Sequence, residues 1–254
     1  YDVSNLGFVP TMGSLHKGHI SLIKKSLKEC KKTIVSIFVN PTQFNNKNDY
    51  KRYPRNNKKD LSILKRLKVN FVYLPKKEDL YFNKKTSPIK INKNNHILCA
   101  KFRKGHFEGV LDVMERLTKL IKPQKIYMGE KDFQQLYLVR KHIQNKYKSK
   151  IIQCKTIRDK NKLALSSRNL FLDKTELLKA RNIAKNLISF KKGLNNKKNL
   201  KNFLTNKKKE LTKLYNIKVD YLELRKISNL KKSGKPQNSK LFFAYHINNI
   251  RLID

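Results

Sequence analysis

The sequence is poor in acidic residues and in long apolar stretches. Its 254 residues include 18 Asp and Glu against 60 Lys and Arg, which gives a formal net charge of +42. No apolar run reaches membrane-spanning length and no signal-peptide pattern is present, so we expect neither a membrane protein nor a secreted one. The chain starts at Tyr1 and a strand pattern follows almost at once. We therefore expect a native N-terminal segment to precede Tyr1.

Cysteine is also scarce. Cys30, Cys99 and Cys154 are far apart and odd in number, and their spacing fits neither a zinc site nor a disulfide framework. Each lies within an apolar pattern, which predicts small buried thiols and no resident metal. Such cysteine usage is typical of the reducing cytoplasm, where we expect the protein to be.

The excess of basic residues could serve nucleic-acid binding or could be a solvated surface. Only 11 of the 60 basic residues are Arg, the residue that reads bases and pairs with phosphates through two parallel hydrogen bonds. The lysines are instead spread along the chain in Lys/Asn runs such as 45–48 and 195–199. We favour a solvated lysine surface with no specific nucleic-acid partner, and keep a basic nucleic-acid-binding protein as the alternative.

Apolar strand patterns alternate with amphipathic helix patterns up to about residue 157. This alternation predicts an α/β fold, a Rossmann-like doubly wound parallel sheet that binds ligands at the carboxyl ends of its strands. After a first strand that ends near Thr11, strands are predicted over 33–39, 69–74 (buried), 125–128 and 151–157. Helices are predicted over 60–68, 108–121 and 133–143. The stretch 84–98 is predicted to be a loop with a short strand.

The strand–helix alternation ends near residue 157. Two helix patterns, 174–190 and 199–215, precede strand patterns over 219–225, 240–247 and 250–253. The pattern predicts a smaller α+β C-terminal domain. We expect a Rossmann-like domain over 1–156 and the smaller domain over 157–254.

The most informative stretch runs from Phe8 to His19. An apolar strand ends at a Pro and a Gly, and two histidines then open an amphipathic helix. Three residues apart, His16 and His19 share one face of the first turn. A helix N-terminus attracts phosphate because it carries partial positive charge and free N–H groups. These residues alone leave open a nucleotide site and an ordinary strand–helix corner.

Further motifs follow in order along nearly the whole chain, with compatible spacing. After VPTMGSLHKGH (9–19) they are VSIFVNPTQF (35–44), YPR (53–55), RKGHFEGV (103–110), GEKDFQQL (129–136), LSSRN (165–169), VDYLE (219–223) and RLID (251–254). With these motifs the sequence resembles the pantoate–β-alanine ligase family, the pantothenate synthetases of the coenzyme A pathway. The resemblance implies an ATP-dependent ligation of pantoate and β-alanine through pantoyl adenylate, with Mg²⁺, releasing AMP and pyrophosphate.

The same resemblance implies roles for individual residues. The residues expected to bind ATP are Met12, Gly13, Ser14, Leu15, His16, Lys17, Gly18, His19, Gly129, Glu130, Lys131, Asp132, Ile157, Leu165, Ser166, Ser167 and Arg168. Those expected to bind pantoate are Gln43, Gln135, Asn40 and Arg103, and Gln43 is also expected to bind β-alanine.

Catalysis is expected of four residues: His19, His16, Lys131 and Arg168. By resemblance, His19 donates a proton to the departing pyrophosphate, because a nearby phosphate would raise its pKa. Ser166, Ser167 and Arg168 are expected to close over the phosphates from the smaller, lid-like domain. His106 is expected to be a support, and a homodimer through the larger domain is expected.

The chain departs from the family pattern in places. Leu165 stands where Met is usual, a volume-conserving change that we expect to be tolerated. Lys104 stands where Pro is usual and Ala100 where Gly is usual, which leaves the shape of loop 99–105, and with it the role of Arg103, open. Family members usually carry a helix before the first strand, and residues 1–254 do not include one. A related nucleotidylyltransferase that keeps AMP on its product is a further alternative, which Gln43 and Gln135 disfavour.

Overall fold

The computed structural model describes residues 5–82, 89–196 and 199–254. The chain divides into two compact units, Tyr1–Ile157 and Arg158–Asp254, called unit 1 and unit 2 below. The division falls one residue after the expected domain boundary. Among the described helices, none combines the length and the apolar character needed to cross a membrane.

Unit 1 contains a parallel sheet whose strands alternate with helices along the chain. Its strands are β1 (Leu6–Thr11), β2 (Lys32–Ile37), β3 (Phe71–Tyr73), β4 (Lys125–Gly129) and β5 (Lys150–Cys154). Its helices are α1 (Lys17–Glu29), α2 (Lys47–Arg52), α3 (Asn57–Arg66), α4 (Lys77–Tyr81), α5 (Cys99–Phe102), α6 (His106–Ile121) and α7 (Phe133–Gln144).

The strand order in this sheet is β3-β2-β1-β4-β5, and every pair is parallel. The order reverses at β1, so the chain winds outward from β1 in both directions. Such a reversal opens a crevice beyond the carboxyl ends of the two strands at the switch, here β1 and β4. The predicted Rossmann-like doubly wound sheet is confirmed.

Apolar periodicity places the helices on the sheet. Val9, Ile23, Val35, Leu64 and Tyr127 belong to one buried cluster that joins α1 and α3 to the strands. The apolar stripe predicted for α6 is buried at Val110, Val113, Met114 and Leu117 but not at its end, where Leu120 is 58% exposed. That helix ends at Lys122, in a left-handed conformation (φ 50°), and Pro123 follows.

Three predictions for unit 1 need correction. The strand over 69–74 is not buried: β3 is the edge strand, and Phe71 and Val72 are 41% and 36% exposed. Within the described residues 89–98 there is a 3₁₀ turn, Lys93–Asn95, and no strand, while 83–88 lie outside the described residues. The strand over 151–157 ends at Cys154, because the Thr156 N–H bonds to the Glu130 carboxylate.

Short helices in unit 1 were missed. The stretch 40–55, for which no helix was predicted, contains α2, whose first turn is capped by the Asn46 side chain accepting from the Asn48 N–H. The loop 99–105, left open above, contains α5 and ends at Gly105 in a left-handed conformation (φ 79°). These helices are too short for a periodic signal.

Unit 2 packs two helices on an antiparallel sheet. Its elements are α8 (Lys174–Lys192), α9 (Leu200–Tyr215), β6 (Lys218–Lys226), β7 (Ser239–Ile247) and β8 (Ile250–Ile253), with strand order β6-β7-β8. A separate core contains Ile183, Leu187, Leu211 and Phe243. The smaller α+β domain is thereby confirmed. All three cysteines are free and buried.

Candidate active site

The segments that follow β1, β2 and β4 begin at one edge of the sheet. Thr11 and Ile37, the last residues of β1 and β2, are register partners, and the Phe38 N–H donates to the Thr11 carbonyl at 3.0 Å. Because β4 is parallel to β1, its carboxyl end at Gly129 faces the same edge. Loops 12–16, 38–46 and 129–132 can therefore share one site.

The first loop turns through two left-handed residues. Gly13 has φ 76° and Ser14 has φ 51°. A left-handed residue other than glycine costs about 1–2 kcal/mol. The Asp60 carboxylate of α3 offsets that cost, because it accepts from the Ser14 and Leu15 N–H groups at 2.7 and 2.8 Å. Hydrogen bonds to a charged group contribute roughly 1.5–3 kcal/mol each.

The two predicted histidines cap α1. His16 is the N-cap, and its Nδ1 accepts from the Gly18 N–H at 3.1 Å. The His19 Nδ1 reaches back and accepts from the His16 N–H at 3.3 Å. Their ring centroids are 4.1 Å apart. The sequence thus places both rings in one capping arrangement at the start of α1.

This arrangement selects the tautomer of each ring. A nitrogen that accepts a hydrogen bond from a backbone N–H carries no proton, so each Nδ1 is bare and the proton of the neutral ring is on Nε2. Both imidazoles can therefore donate from Nε2 while they remain neutral.

Burial and neighbouring charges keep the histidines neutral. Burial first, and then Lys131, lower the pKa of His16 to about 4 although Asp132 opposes the shift. Burial, then His16 and Lys131, lower the pKa of His19 to about 3. Lys131, in the loop after β4, is thus one of the charges that act on both capping histidines.

The loop after β4 contributes charges of both signs. Lys131 is mostly buried, and its Nζ lies 3.6 Å from an Asp132 carboxylate oxygen. Glu130 instead accepts from Gln153 at 2.9 Å and from the Thr156 N–H at 3.3 Å. The Glu130 side chain therefore supports the segment that leads to Ile157, the last residue of unit 1.

Gln43 ends a 3₁₀ turn, Pro41–Gln43, directly beyond β2. Its side chain is buried, and its Nε2 contacts the Met12 sulfur, which belongs to the loop after β1. Asn40 is 1% exposed and donates to the Gly109 carbonyl at 3.0 Å, while its carbonyl oxygen accepts from Tyr81 at 2.9 Å. Asn40 thus fixes the turn that presents Gln43.

The N-terminus of α6 supports the same turn. His106 Nδ1 donates to the Gln43 carbonyl at 2.7 Å, and His106 Nε2 accepts from Arg103 at 2.9 Å. Replacing a helix glycine by alanine ordinarily stabilises by about 1 kcal/mol. At Gly109, however, an added Cβ would lie 2.4 Å from the Thr42 carbonyl oxygen, so glycine is required for α6 to pack on the turn.

Two adjacent glutamines in α7 differ in what they contact. Gln134 is buried and hydrogen-bonds the Cys99 N–H and the Ile97 carbonyl, so it anchors the segment before α5. Gln135 is partly exposed, and its amide has no hydrogen-bond partner among the described residues. Gln135 lies in the first turn of α7, beside the 129–132 loop.

In unit 2, the predicted Ser-Ser-Arg loop is held by short-range hydrogen bonds. The Ser166 hydroxyl accepts from the Arg168 N–H at 3.2 Å and opens a 3₁₀ turn, Ser167–Phe171. Asn169 donates to the Ala164 carbonyl at 3.2 Å. Ser167 is buried, whereas Leu165 and Arg168 are partly exposed.

Two arginine–carboxylate pairs hold the segment that precedes this loop. Arg158 pairs with Asp254 through its two terminal guanidinium nitrogens, Nη1 and Nη2. Asp159 accepts from the Leu163 N–H at 3.0 Å and from Arg181 of α8 at 2.8 Å. Arg181 and the Leu163 N–H help to lower the pKa of Asp159 against the effect of its burial.

Comparison with known proteins identifies the family of this chain. A family model described as pantoate-beta-alanine ligase matches residues 2–254. The chain belongs to the pantoate–β-alanine ligase family. A pantothenate synthetase from Flavobacterium psychrophilum is 41% identical over 263 residues, which cover 100% of this chain and 92% of that protein.

Solved structures of the ligase family share the whole fold. Pantothenate synthetase from Thermus thermophilus matches with a TM-score of 0.92 and 31% identity, over 99% of this chain and 92% of that one. Pantoate–β-alanine ligase from Francisella tularensis, crystallised in complex with beta-gamma ATP and β-alanine, has a TM-score of 0.84 and 38% identity, over 100% and 90% of the two chains.

Within unit 1, the structure brings many of the predicted ligase residues to one edge. The loop from Met12 to His19, with its exposed Lys17, meets Gln43 through Met12 and approaches Lys131 through the histidines. The side chains of Asn40, Arg103 and Glu130 already hydrogen-bond to groups of the protein, and Arg103 does so beside Gln43. Their binding of pantoate or ATP stays a prediction, as do the roles assigned to Gly129 and Ile157.

Two supporting residues, Asp60 and Gly109, were not predicted from the sequence. Asp60 lies three and four residues before Ile63 and Leu64, on the apolar face of α3. An acidic residue on such a face is a signal that could have been noticed, because a buried carboxylate needs partners. Gly109 gives a weaker signal, because a glycine inside the predicted helix 108–121 is unfavourable there unless close packing requires it. Among the described residues, no group of three or more His, Cys, Asp or Glu side chains is placed to hold a metal ion.

We expect the His16 and His19 rings to be neutral at pH 6 in the free protein, with pKa values of about 4 and 3. NMR titration of the imidazole resonances measures this. In the unfolded chain both groups titrate near 6.5, so the unfolded state takes up protons first. The unfolding free energy that these rings contribute is therefore complete above pH 6.5 and is lost as pH falls toward 3. A pKa of 6.5 or higher for either ring contradicts the assignment.

Proposed function

We propose that this member of the family joins pantoate to β-alanine in two steps that use ATP. In the first step, a pantoate carboxylate oxygen forms a bond to the α-phosphorus, the bond to the bridging oxygen breaks, and pyrophosphate leaves. In the second step, the β-alanine amine bonds to the acyl carbon, loses a proton, and displaces AMP. The observation that carries this proposal is the convergence of the histidine pair, Lys131 and Gln43 on one sheet edge, in a chain matched by the family over 2–254.

For the first step, the proposed site supplies positioning and positive electrostatic potential. Displacement at phosphorus needs little covalent help from the protein, so donors that stabilise charge on the leaving pyrophosphate dominate. Lys131 brings a full positive charge. His16 and His19 bring Nε2–H donors whose orientation is already held by their Nδ1 hydrogen bonds to the backbone.

The geometry favours His19 as a neutral hydrogen-bond donor before ATP binds. Proton donation, as the resemblance implies, requires that bound phosphates first raise a pKa that stands at about 3. Protonation of Nδ1 would also break the hydrogen bond from the His16 N–H. A neutral ring avoids both costs and still stabilises the departing pyrophosphate through Nε2.

Gln43 and Gln135 are the proposed pantoate residues. An amide donates and accepts, so Gln43 can bind the hydroxy acid and afterwards the amine of β-alanine. The hydrogen bonds from His106 to the Gln43 backbone support this role, because they hold the residue in place. Gln135 fits because its amide has no other partner in the described chain.

ATP enters this proposal as its magnesium complex, in which Mg²⁺ is part of the substrate. Mg²⁺ ordinarily keeps several waters and binds phosphates with few protein ligands, which suits a site without a dedicated ligand cluster. Asp132 is proposed for the ribose hydroxyls. Ser166, Ser167 and Arg168 are proposed for the phosphates, where a guanidinium offers paired donors.

We also propose a homodimer in the cytoplasm. Apolar residues exposed on the edge strand β3, Phe71 and Val72, offer unit 1 a surface for a second copy of the chain. Three buried free cysteines suit a reducing compartment. Because a charge of +42 per chain opposes self-association, we expect the dimer to strengthen with salt. Sedimentation at low and high ionic strength measures this, and a monomer at both contradicts it.

We expect AMP and pyrophosphate to appear in step with pantothenate when ATP, Mg²⁺, pantoate and β-alanine are present. Omission of each substrate in turn separates the alternatives. Without β-alanine, a ligase stops after one adenylate per site, whereas a nucleotidylyltransferase continues to release pyrophosphate. AMP release that ignores both pantoate and β-alanine rejects the ligase, and binding to random DNA that survives moderate salt would favour the nucleic-acid alternative.

Replacing His19 tests the proposed donor. We expect His19→Ala to lower kcat about 100- to 1000-fold, the usual loss when one preorganised donor to a developing charge is removed. Steady-state kinetics measure it, with circular dichroism to show that the fold is retained. His142→Ala is the control, since His142 bonds Glu115 on the outer helices of unit 1. Near-wild-type turnover in His19→Ala would remove the assigned role.

A further inference from the structure

Asp60 is a buried carboxylate whose partners lie in the loop between β1 and α1. It is 1% exposed, and its two oxygens accept from the N–H groups of Ser14 and Leu15. No ion pair to Asp60 is formed within the described part of the chain. A charge so deeply buried must be compensated, and here two backbone N–H groups of one loop compensate it.

The loop conformation depends on this carboxylate. Gly13 and Ser14 are consecutive left-handed residues, and the N–H groups of the two residues after Gly13 meet at Asp60. Leu15 is buried, and the next residue, His16, is the N-cap of α1. A shift of this turn would therefore move the capping histidines.

Gly13 packs closely against Asp60 of α3 and against Ile37 of β2. An added Cβ would lie 3.0 Å from an Asp60 oxygen and 3.1 Å from the Ile37 side chain. On the other side, Ile63 and Leu64 hold α3 in the core cluster that also contains Leu15. The carboxylate thus joins the loop to α3, which is packed in the core of unit 1.

We propose that Asp60 is a positioning residue for the ATP-dependent step. It holds the turn 13–15 against α3 and so sets where His16 and His19 present their Nε2–H donors. This inference rests on the proposed function. None of the residues of α3 is proposed to bind a substrate. The inference is that α3 nevertheless helps to orient the proposed phosphate-binding loop.

The test compares Asp60→Asn and Asp60→Ala with Asp79→Asn. Asp79 also accepts a backbone N–H, from Lys76 at 2.7 Å, but it is exposed on α4. We expect Asp60→Asn, which keeps one acceptor oxygen, to lower kcat and raise the KM for ATP while the KM for pantoate stays near wild type. Asp60→Ala should reduce turnover further, by about 100-fold, the usual effect of misplacing catalytic groups by an ångström.

Imidazole NMR spectra give a readout that a purely structural role would not change. We expect the His16 and His19 ring resonances to shift in Asp60→Asn and to remain in place in Asp79→Asn. Wild-type kcat, ATP KM and ring resonances in a folded Asp60→Asn protein, whatever its melting temperature, overturn the proposal.

Two further measurements cover the cases in which the Asp60 variants do not fold or the wild-type protein is not a ligase. If neither Asp60 variant folds, Gly13→Ala disturbs the same contact from the loop side, and wild-type turnover with unmoved histidine resonances in that variant overturns the proposal. If the wild-type protein makes no pantothenate, the proposed function fails separately. The histidine resonances and the calorimetric affinity for ATP in the Asp60 variants then decide whether Asp60 positions the loop.

Discussion

Parallel hydrogen bonding of β1 between β2 and β4 is the constraint on which the rest of unit 1 depends. Parallel strands end at the same edge, so residues more than a hundred positions apart in sequence, His19 and Lys131, become neighbours there. The reversal of strand order at β1 leaves that edge open beside the loops after β1 and β4. The sheet thereby brings together the loops that form the proposed site.

Backbone hydrogen bonds then determine how the side chains at this edge are held. The histidine Nδ1 atoms accept from the start of α1, His106 donates to the Gln43 carbonyl, and Asn40 bonds α6. Buried polar groups must find partners, and these partners also restrict rotation of the rings and amides. The orientation of the proposed donors is therefore set before any substrate arrives, which reduces the reorganisation needed during reaction.

Elements with a clear apolar period were predicted well, and elements without one were not. The stripe of α6 and the apolar run of β2 are visible in the sequence because each buries many side chains. Helix α2 depends on the Asn46 cap, which leaves little periodic signal. The exposure of β3 could not be predicted from its apolar residues, because an edge strand and an inner strand can have the same composition.

The sequence by itself determined the alternation of strands and helices, the two-unit organisation, the motif residues and, through these, the family. Local chemistry suffices for these features, since apolar periodicity and short motifs are properties of neighbouring residues. Only the tertiary structure decided which residues support the motifs. Asp60 beneath the Gly13–Ser14 turn, Gly109 against Thr42, and the neutral state of His16 and His19 all depend on burial and on contacts between distant segments. Those contacts exist once the sheet has brought the segments together.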